Sequence, residues 1–144
     1  MRTFLAIMDL QEKATTLTYG QASVTLSYNL NQNWIYADWI GVHSLVSIQK
    51  GMGVLLEWFQ ETGAPKYLSD NSNLVGGWDT ANDWLAEEWT PRAVDAGMRY
   101  VAHVLAPGFY GKLSMEALQP RLVDKVTIRL FEFKADAEEW LASL

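Results

Sequence analysis

Downstream of Gly41, stretches whose apolar residues recur every three to four positions alternate with short apolar runs of strand length. A strand that returns to its sheet through a helix makes a right-handed crossover, so this alternation calls for a mostly parallel sheet. The clearest helix carries Leu45, Ile48, Met52, Leu55, Leu56 and Phe59 on one face, with Gly63 as its stop. Gly51 and Gly53 weaken its intrinsic propensity and mark close approach to a neighbouring backbone. KYLSD (66–70) reads as a short buried strand, and SDNSNLVGG (69–77) as a loop of turn formers. Asp79 is the expected N-cap of a helix that carries Trp84, Leu85 and Trp89 and is kinked or restarted at Pro91. RYVAHVL (99–105) has the continuous apolar character of a central parallel strand. A helix starting at Ser114, a strand in VTIRLFEF and a last helix capped by Asp136 complete the order.

Ahead of this series, SVTLSY (23–28) and WIYADW (34–39) alternate polar and apolar side chains across the turn formers NLNQN. They read as an antiparallel hairpin in which Val24, Leu26 and Tyr28 face either Trp34 and Tyr36 or Ile35, according to register. The expectation is one α/β domain with a mixed sheet of about five strands, an N-terminal antiparallel hairpin and helices packed mainly on one face. Its span is residues 19–144, preceded by an extension over 1–18.

The chain has 144 residues, no cysteine and a net charge of −6, which bounds its chemistry. No disulfide, thiolate nucleophile or thiolate metal site can form. The negative charge opposes nucleic acid and anionic lipid as partners. No apolar run reaches the length of a membrane span, and the opening MRTFLAIMDL is interrupted by Asp9 and lacks a small-residue cleavage pattern. A soluble cytoplasmic protein with no stable membrane insertion is expected.

The chemistry-bearing residues do not gather into a catalytic pattern. His43 and His103 lack metal-ligand spacing, so no metal is expected, and His103 inside an apolar strand reads as a hydrogen-bonded core histidine. The adjacent pairs Glu87/Glu88 and Glu138/Glu139 point about 100° apart on a helix and read as solvated faces. No glycine-rich nucleotide motif or GxSxG elbow occurs, so neither cofactor nor catalytic residue is assigned. The candidate functional loop is Ser69, Asp70, Asn71, Ser72, Gly76 and Gly77, at the carboxyl edge of the sheet. Turn chemistry accounts for it; a phosphorylatable or anion-binding loop is the alternative. The candidate partner- or ligand-binding aromatics are Trp78, Trp84, Trp89 and Tyr110, because buried indoles need acceptors and aromatics are enriched at interfaces.

The strings YADWIG (36–41), IQKGMGVLLEWF (48–59), YLSDNSNLVGGW (67–78), DWLAEEWTPRAVDAGMRYVAHVL (83–105) and FEFKADAEEWL (131–141) resemble the small bacterial proteins related to STAS domains, called SpoIIAA-like, whose fold overlaps that of CRAL-TRIO lipid-binding domains. The resemblance implies a STAS-like sheet and a non-enzymatic regulator that binds a protein partner. It also implies a phosphorylatable serine after a central strand, here Ser72 with Ser69 second. Asp70-Asn71-Ser72 departs from the adjacent Asp-Ser pattern of those proteins. The CRAL-TRIO side implies instead a small carrier of a lipid or other apolar molecule. Homodimerisation through Phe4, Leu5, Ile7 and Met8 is a further expectation, although the same residues can equally cover the domain's own core.

Overall fold

The computed structural model describes residues 12–144. A six-stranded sheet runs β1 (Lys13–Tyr19), β2 (Ala22–Asn29), β3 (Trp34–Gly41), β4 (Lys66–Leu74), β5 (Tyr100–Val104) and β6 (Thr127–Phe131), and its spatial order is the chain order. β1, β2 and β3 pair antiparallel, and β3 to β6 pair parallel. Helix α1 (Leu45–Thr62) links β3 to β4, and α3 (Phe109–Leu118) follows β5. Between β4 and β5 the chain coils through Asp79–Ala81, Asn82–Trp84, Leu85–Trp89 and Thr90–Ala96, here treated as one segment, α2. Helix α4 (Lys134–Ala142) closes the chain.

The layering follows from strand order. Three right-handed crossovers that always step toward the same sheet edge must all pass over the same face. The inner-face residues Val24, Leu26, Ile35, Ala37, Trp39, Tyr67, Val101 and Ile128 accordingly join the helix residues Ile48, Met52, Phe59, Trp89 and Met115 in one core. Among the described helices only α4, which has no further strand to reach, returns across the other face. There Ala137 and Leu141 pack with Trp34, Leu68, Ala102 and Val104. The sheet is thus mixed, with an antiparallel hairpin at its start and most helices on one side.

Local chemistry explains the elements and several departures from expectation. Ser44 caps α1 reciprocally: its side chain accepts from the Ser47 N–H at 3.1 Å while the Ser47 hydroxyl accepts from the Ser44 N–H at 2.9 Å. Gly63, with φ 65°, ends the helix as expected. Gly51 sits against Trp39, and a Cβ there would lie 2.8 Å from the indole Cη2. Gly53 departs from the same expectation, since nothing lies within 4 Å of a Cβ built on it.

The hairpin register sets Tyr28 opposite Ile35 and Leu26 opposite Ala37, so Ile35, Ala37 and Trp39 are the inward set. The sheet has one strand more than expected, because part of the stretch read as an extension through residue 18 forms β1 and pairs with β2 from Ala22 to Tyr28. Phe4, Leu5, Ile7 and Met8, the expected dimer contacts, lie outside the described residues. Helix α3 begins at Phe109, five residues before Ser114, and neither Asp79 nor Asp136 is an N-cap; the residues in those positions are Trp78 and Phe133, and neither makes a side-chain cap bond. Instead of a simple kink, a π turn over Leu85–Trp89 precedes Pro91 and carries the helix on into Thr90.

Candidate functional site

The stretch 69–77, expected to be a loop, is mostly strand: β4 runs to Leu74, and only Val75, Gly76 and Gly77 lie beyond it. Ser69, Asp70 and Asn71 are buried, whereas Ser72 is exposed. Pairing with β3 jumps from Asp38↔Asp70 to Ile40↔Asn73, so two residues of β4 oppose Trp39 alone. Such a bulge re-aims side chains next to a site. Here Asp70 Oδ1 accepts from both the Ser72 backbone N–H at 3.0 Å and the Ser72 hydroxyl at 2.7 Å. The end of β4 therefore presents different chemistry on its two faces.

On the outer face, the Tyr36 hydroxyl donates to Asp70 Oδ2 at 2.7 Å and the Asn73 amide donates to Asp38 Oδ1 at 3.3 Å. Burial, then the hydrogen bond to Asp70 and that carboxylate's charge, push the Tyr36 phenol far above its usual range. Burial also raises the Asp38 carboxyl, opposed by the Asn73 hydrogen bond and reinforced by the Asp70 charge. The Lys134 ammonium lies 4.2 Å over the Tyr36 ring. Beside this group an open groove of about 430 Å³ runs between α4 and the first three strands, lined by Ser27, Trp34, Tyr36, Lys134 and Glu138 among others.

On the inner face, Ser69 and Asn71 lie alongside His103, the strand partner of Ser69 on β5. The Asn71 amide donates to the Ser69 hydroxyl at 3.0 Å, and its nitrogen lies 3.2 Å and 3.3 Å from the two nitrogens of His103. Its oxygen accepts from the Trp78 indole at 2.9 Å. Tyr67 adds a hydrogen bond with Ser69 and accepts from the Trp39 indole at 3.4 Å. Burial drives the Tyr67 phenol up to about 12 and His103 down to about 3, the latter only partly countered by Asp70. His103 is consequently an uncharged core histidine. It joins Ser69, Tyr67, Trp78, Trp89 and Thr90 in lining an otherwise apolar cavity of about 50 Å³ under α2 and α3.

Trp78 thus meets the end of β4 and Trp89 meets Tyr67 near its start, while Trp84 packs at the core's margin and Tyr110 stands exposed on α3. Trp89 anchors the π turn by donating to the Met52 carbonyl at 2.7 Å. Gly76 has φ 95°, and Gly77 is wedged so that a Cβ would lie 3.0 Å from the Tyr110 carbonyl; both glycines serve the entry into α2. His43 is held by Ser47 and the Ser23 carbonyl at 2.9 and 3.0 Å, tying the start of α1 to β2. Tyr36, Asp38, Tyr67 and Lys134 were not among the residues singled out from sequence. Apart from Ser69 beside Tyr67, their partners lie many residues away, and no short motif signals such pairings. Among the described residues no group of His, Cys, Asp or Glu can hold a metal ion, and no helix is long and apolar enough to cross a membrane. Compared with known proteins, the chain matches no family model and no curated relative.

Proposed function

We propose that this chain is a non-enzymatic regulatory module of STAS type that binds a protein partner through the carboxyl edge of its parallel sheet. The observation behind the reading is the apolar surface at that edge. All four strand-to-helix junctions lie there because β3 to β6 are parallel, and each exposes a large apolar side chain: Val42, Val75, Phe109 with Tyr110, and Phe133. Exposed apolar groups collected at one end of a domain mark interaction surfaces. Exposed Asp79, Glu132 and Asp136 outnumber the exposed Lys134 at that edge and, with a net charge of −6, favour a protein over an anionic bilayer.

Ser72, the accessible member of the two candidate serines, supplies the switch. A phosphoryl group there adds about −1.5 to −2 charges beside Asp70 and Asp38 and removes the proton that Ser72 now donates to Asp70. The bulge then loses one of its bonds and gains a repulsion. Ligand pockets span about 300–1,000 Å³; the apolar cavity of about 50 Å³ falls far short of that, and the groove of about 430 Å³ is open and edged by Lys13, Lys134 and Glu138, so neither supports the lipid-carrier alternative.

The test places a photocrosslinking residue at Tyr110, on the carboxyl edge, or at Gln32, in the turn at the other end of the sheet. The reading expects a discrete adduct from position 110 and none from position 32. The adduct should persist with Ser72→Ala and weaken at least tenfold with Ser72→Asp. Equal adducts from both positions, or none from either, would refute it.

A further inference from the structure

The two edges of the sheet are finished in different ways. β6 is short, with five residues, and its open side is guarded. Thr127 and Phe131 bond toward β5, so Ile128 and Leu130, one residue out of phase, turn their N–H and C=O to the open side. The Gln119 amide reaches across to the Ile128 carbonyl at 3.4 Å, and exposed Arg129 puts a charge at mid-strand. Charges and covering side chains are how natural sheets keep an edge from pairing with another chain.

β1, at the other edge, has none of these devices among the described residues. It runs for seven residues, pairs with β2 without a bulge, and holds no charge or proline from Ala14 to Tyr19. Its one charged residue, Lys13, is bent away onto α1, where the ammonium bonds Glu61 and lies 4.5 Å over the Trp58 ring. A two-residue turn, Gly20 and Gln21, makes Tyr19 and Ala22 exchange hydrogen bonds, so Lys13, Thr15, Leu17 and Tyr19 bond toward β2. Exposed Ala14, Thr16 and Thr18 therefore turn their N–H and C=O outward.

We propose that β1 is a homodimer interface, pairing antiparallel with β1 of a second copy so that Thr16 lies on the two-fold axis and the two sheets become one. In that register Ala14 falls opposite the partner's Thr18 and Thr16 opposite the partner's Thr16, so every outward-pointing backbone group meets another. On the inner side Thr15 meets the partner's Leu17 and Lys13 meets the partner's Tyr19, and no charge faces a like charge. Threonine pairs across antiparallel strands contribute favourably, and Thr16 already makes one, with Thr25 at 3.1 Å. A strand of any sequence could satisfy the backbone; the matching of Ala14 with Thr18, both small and uncharged, about Thr16 is what selects a second copy. Because β1 runs parallel to β3, the carboxyl edges of the two copies point to opposite ends of the joined sheet. The interface does not depend on the partner-binding reading of that edge, nor on Ser72.

Sedimentation velocity of the full chain over a concentration series tests the interface. The wild type is expected to show a monomer–dimer equilibrium with a dissociation constant of roughly micromolar order. Thr16→Pro removes an outward N–H and leaves the bonds to β2 in place, so it is expected to weaken the dimer at least tenfold with little change in far-UV circular dichroism. Thr16→Lys and Thr16→Glu, which need no proline in the strand, each bring like charges together on the axis. Either alone is expected to be monomeric, and their mixture to associate at least tenfold more tightly than either. A wild-type chain that stays monomeric up to about 100 μM, or a dimer indifferent to mixing those two variants, would overturn the proposal. Protection of the Ala14, Thr16 and Thr18 amides from hydrogen exchange in a monomer would overturn it too, by showing that the chain covers its own edge.

Discussion

Alanine substitutions at Gly51 and Gly53, two residues apart on α1, should differ in stability: the second stabilises and the first does not. Both replace glycine inside the same helix, and both gain about 1 kcal/mol of intrinsic propensity. At Gly53 nothing else changes, because the space is open. At Gly51 the new methyl would lie 2.8 and 3.0 Å from two carbons of Trp39 and 3.2 Å from Val24 Cγ1. Trp39 cannot yield cheaply: it is fully buried, donates to Tyr67 and meets Trp78 edge-on with ring centroids 4.8 Å apart. Overpacking a filled core costs about 1–3 kcal/mol, which equals or exceeds the helix gain. Subtracting one variant from the other cancels the propensity term and leaves the overpacking alone. Urea unfolding followed by tryptophan fluorescence should therefore place Gly53→Ala above the wild type by about 1 kcal/mol and Gly51→Ala below Gly53→Ala by about 1–3 kcal/mol, with unchanged m values. Agreement of the two variants within about 0.3 kcal/mol would refute the close contact between α1 and the sheet.

His103 predicts a pH dependence. Its folded pKa of about 3 lies below the ordinary 6.5, so between those values the unfolded chain binds a proton that the folded one refuses, and stability falls by about 1.4 kcal/mol per pH unit of acidification. Above pH 6.5 the ring is neutral in both states and contributes nothing to the slope; His103→Phe should remove this component, as seen by comparing urea midpoints at pH 7, 6 and 5. Asp70→Ala takes the acceptor from the Tyr36 hydroxyl and from two donors of Ser72, and should cost about 2–4 kcal/mol in thermal or urea unfolding, while Ser72→Ala, which keeps the backbone bond, should cost about 1 kcal/mol. Asn71→Leu strands the Trp78 indole N–H and should cost about 1–3 kcal/mol, with a changed Trp78 indole resonance. Arg121→Ala breaks bridges to Asp83 and Glu87 that face solvent, so its cost should stay below about 1 kcal/mol and vanish in high salt.

What the sequence made legible is what depends on one repeating local choice. The apolar spacing of α1, its glycine stop and the continuous apolar run of β5 each bury a face against whatever lies opposite, so pattern alone reveals them. β1 escaped because it is an edge strand whose alternation is muted: Lys13, Thr15 and Leu17 turn inward only partly, while Ala14, Thr16 and Thr18 face open solvent. The end of β4 escaped for the opposite reason. Ser-Asp-Asn-Ser-Asn has the composition of a turn, yet tertiary partners convert those groups into strand: Tyr36 and Ser72 saturate Asp70, and Trp78 and Ser69 hold Asn71. Local turn propensity is weak beside several buried hydrogen bonds. The candidate serine, asparagine and tryptophans were thus found by residue type, but their division between two sheet faces required the bulge and the register of β3.

The agreement of spatial and chain order across all six strands also bears on how the molecule is made. No strand must be inserted between two already paired neighbours; each pairs with the edge left by its predecessor. The β1–β2–β3 meander closes only short turns, so it can form before the rest of the chain has left the ribosome, and every later strand–helix unit then adds to a template already in place. Loop-closure entropy is met in small instalments. A nascent chain of this topology grows its sheet in one direction: β1 marks the fixed edge, and up to the arrival of β6 the growing edge is always the one that the next strand to emerge will cover.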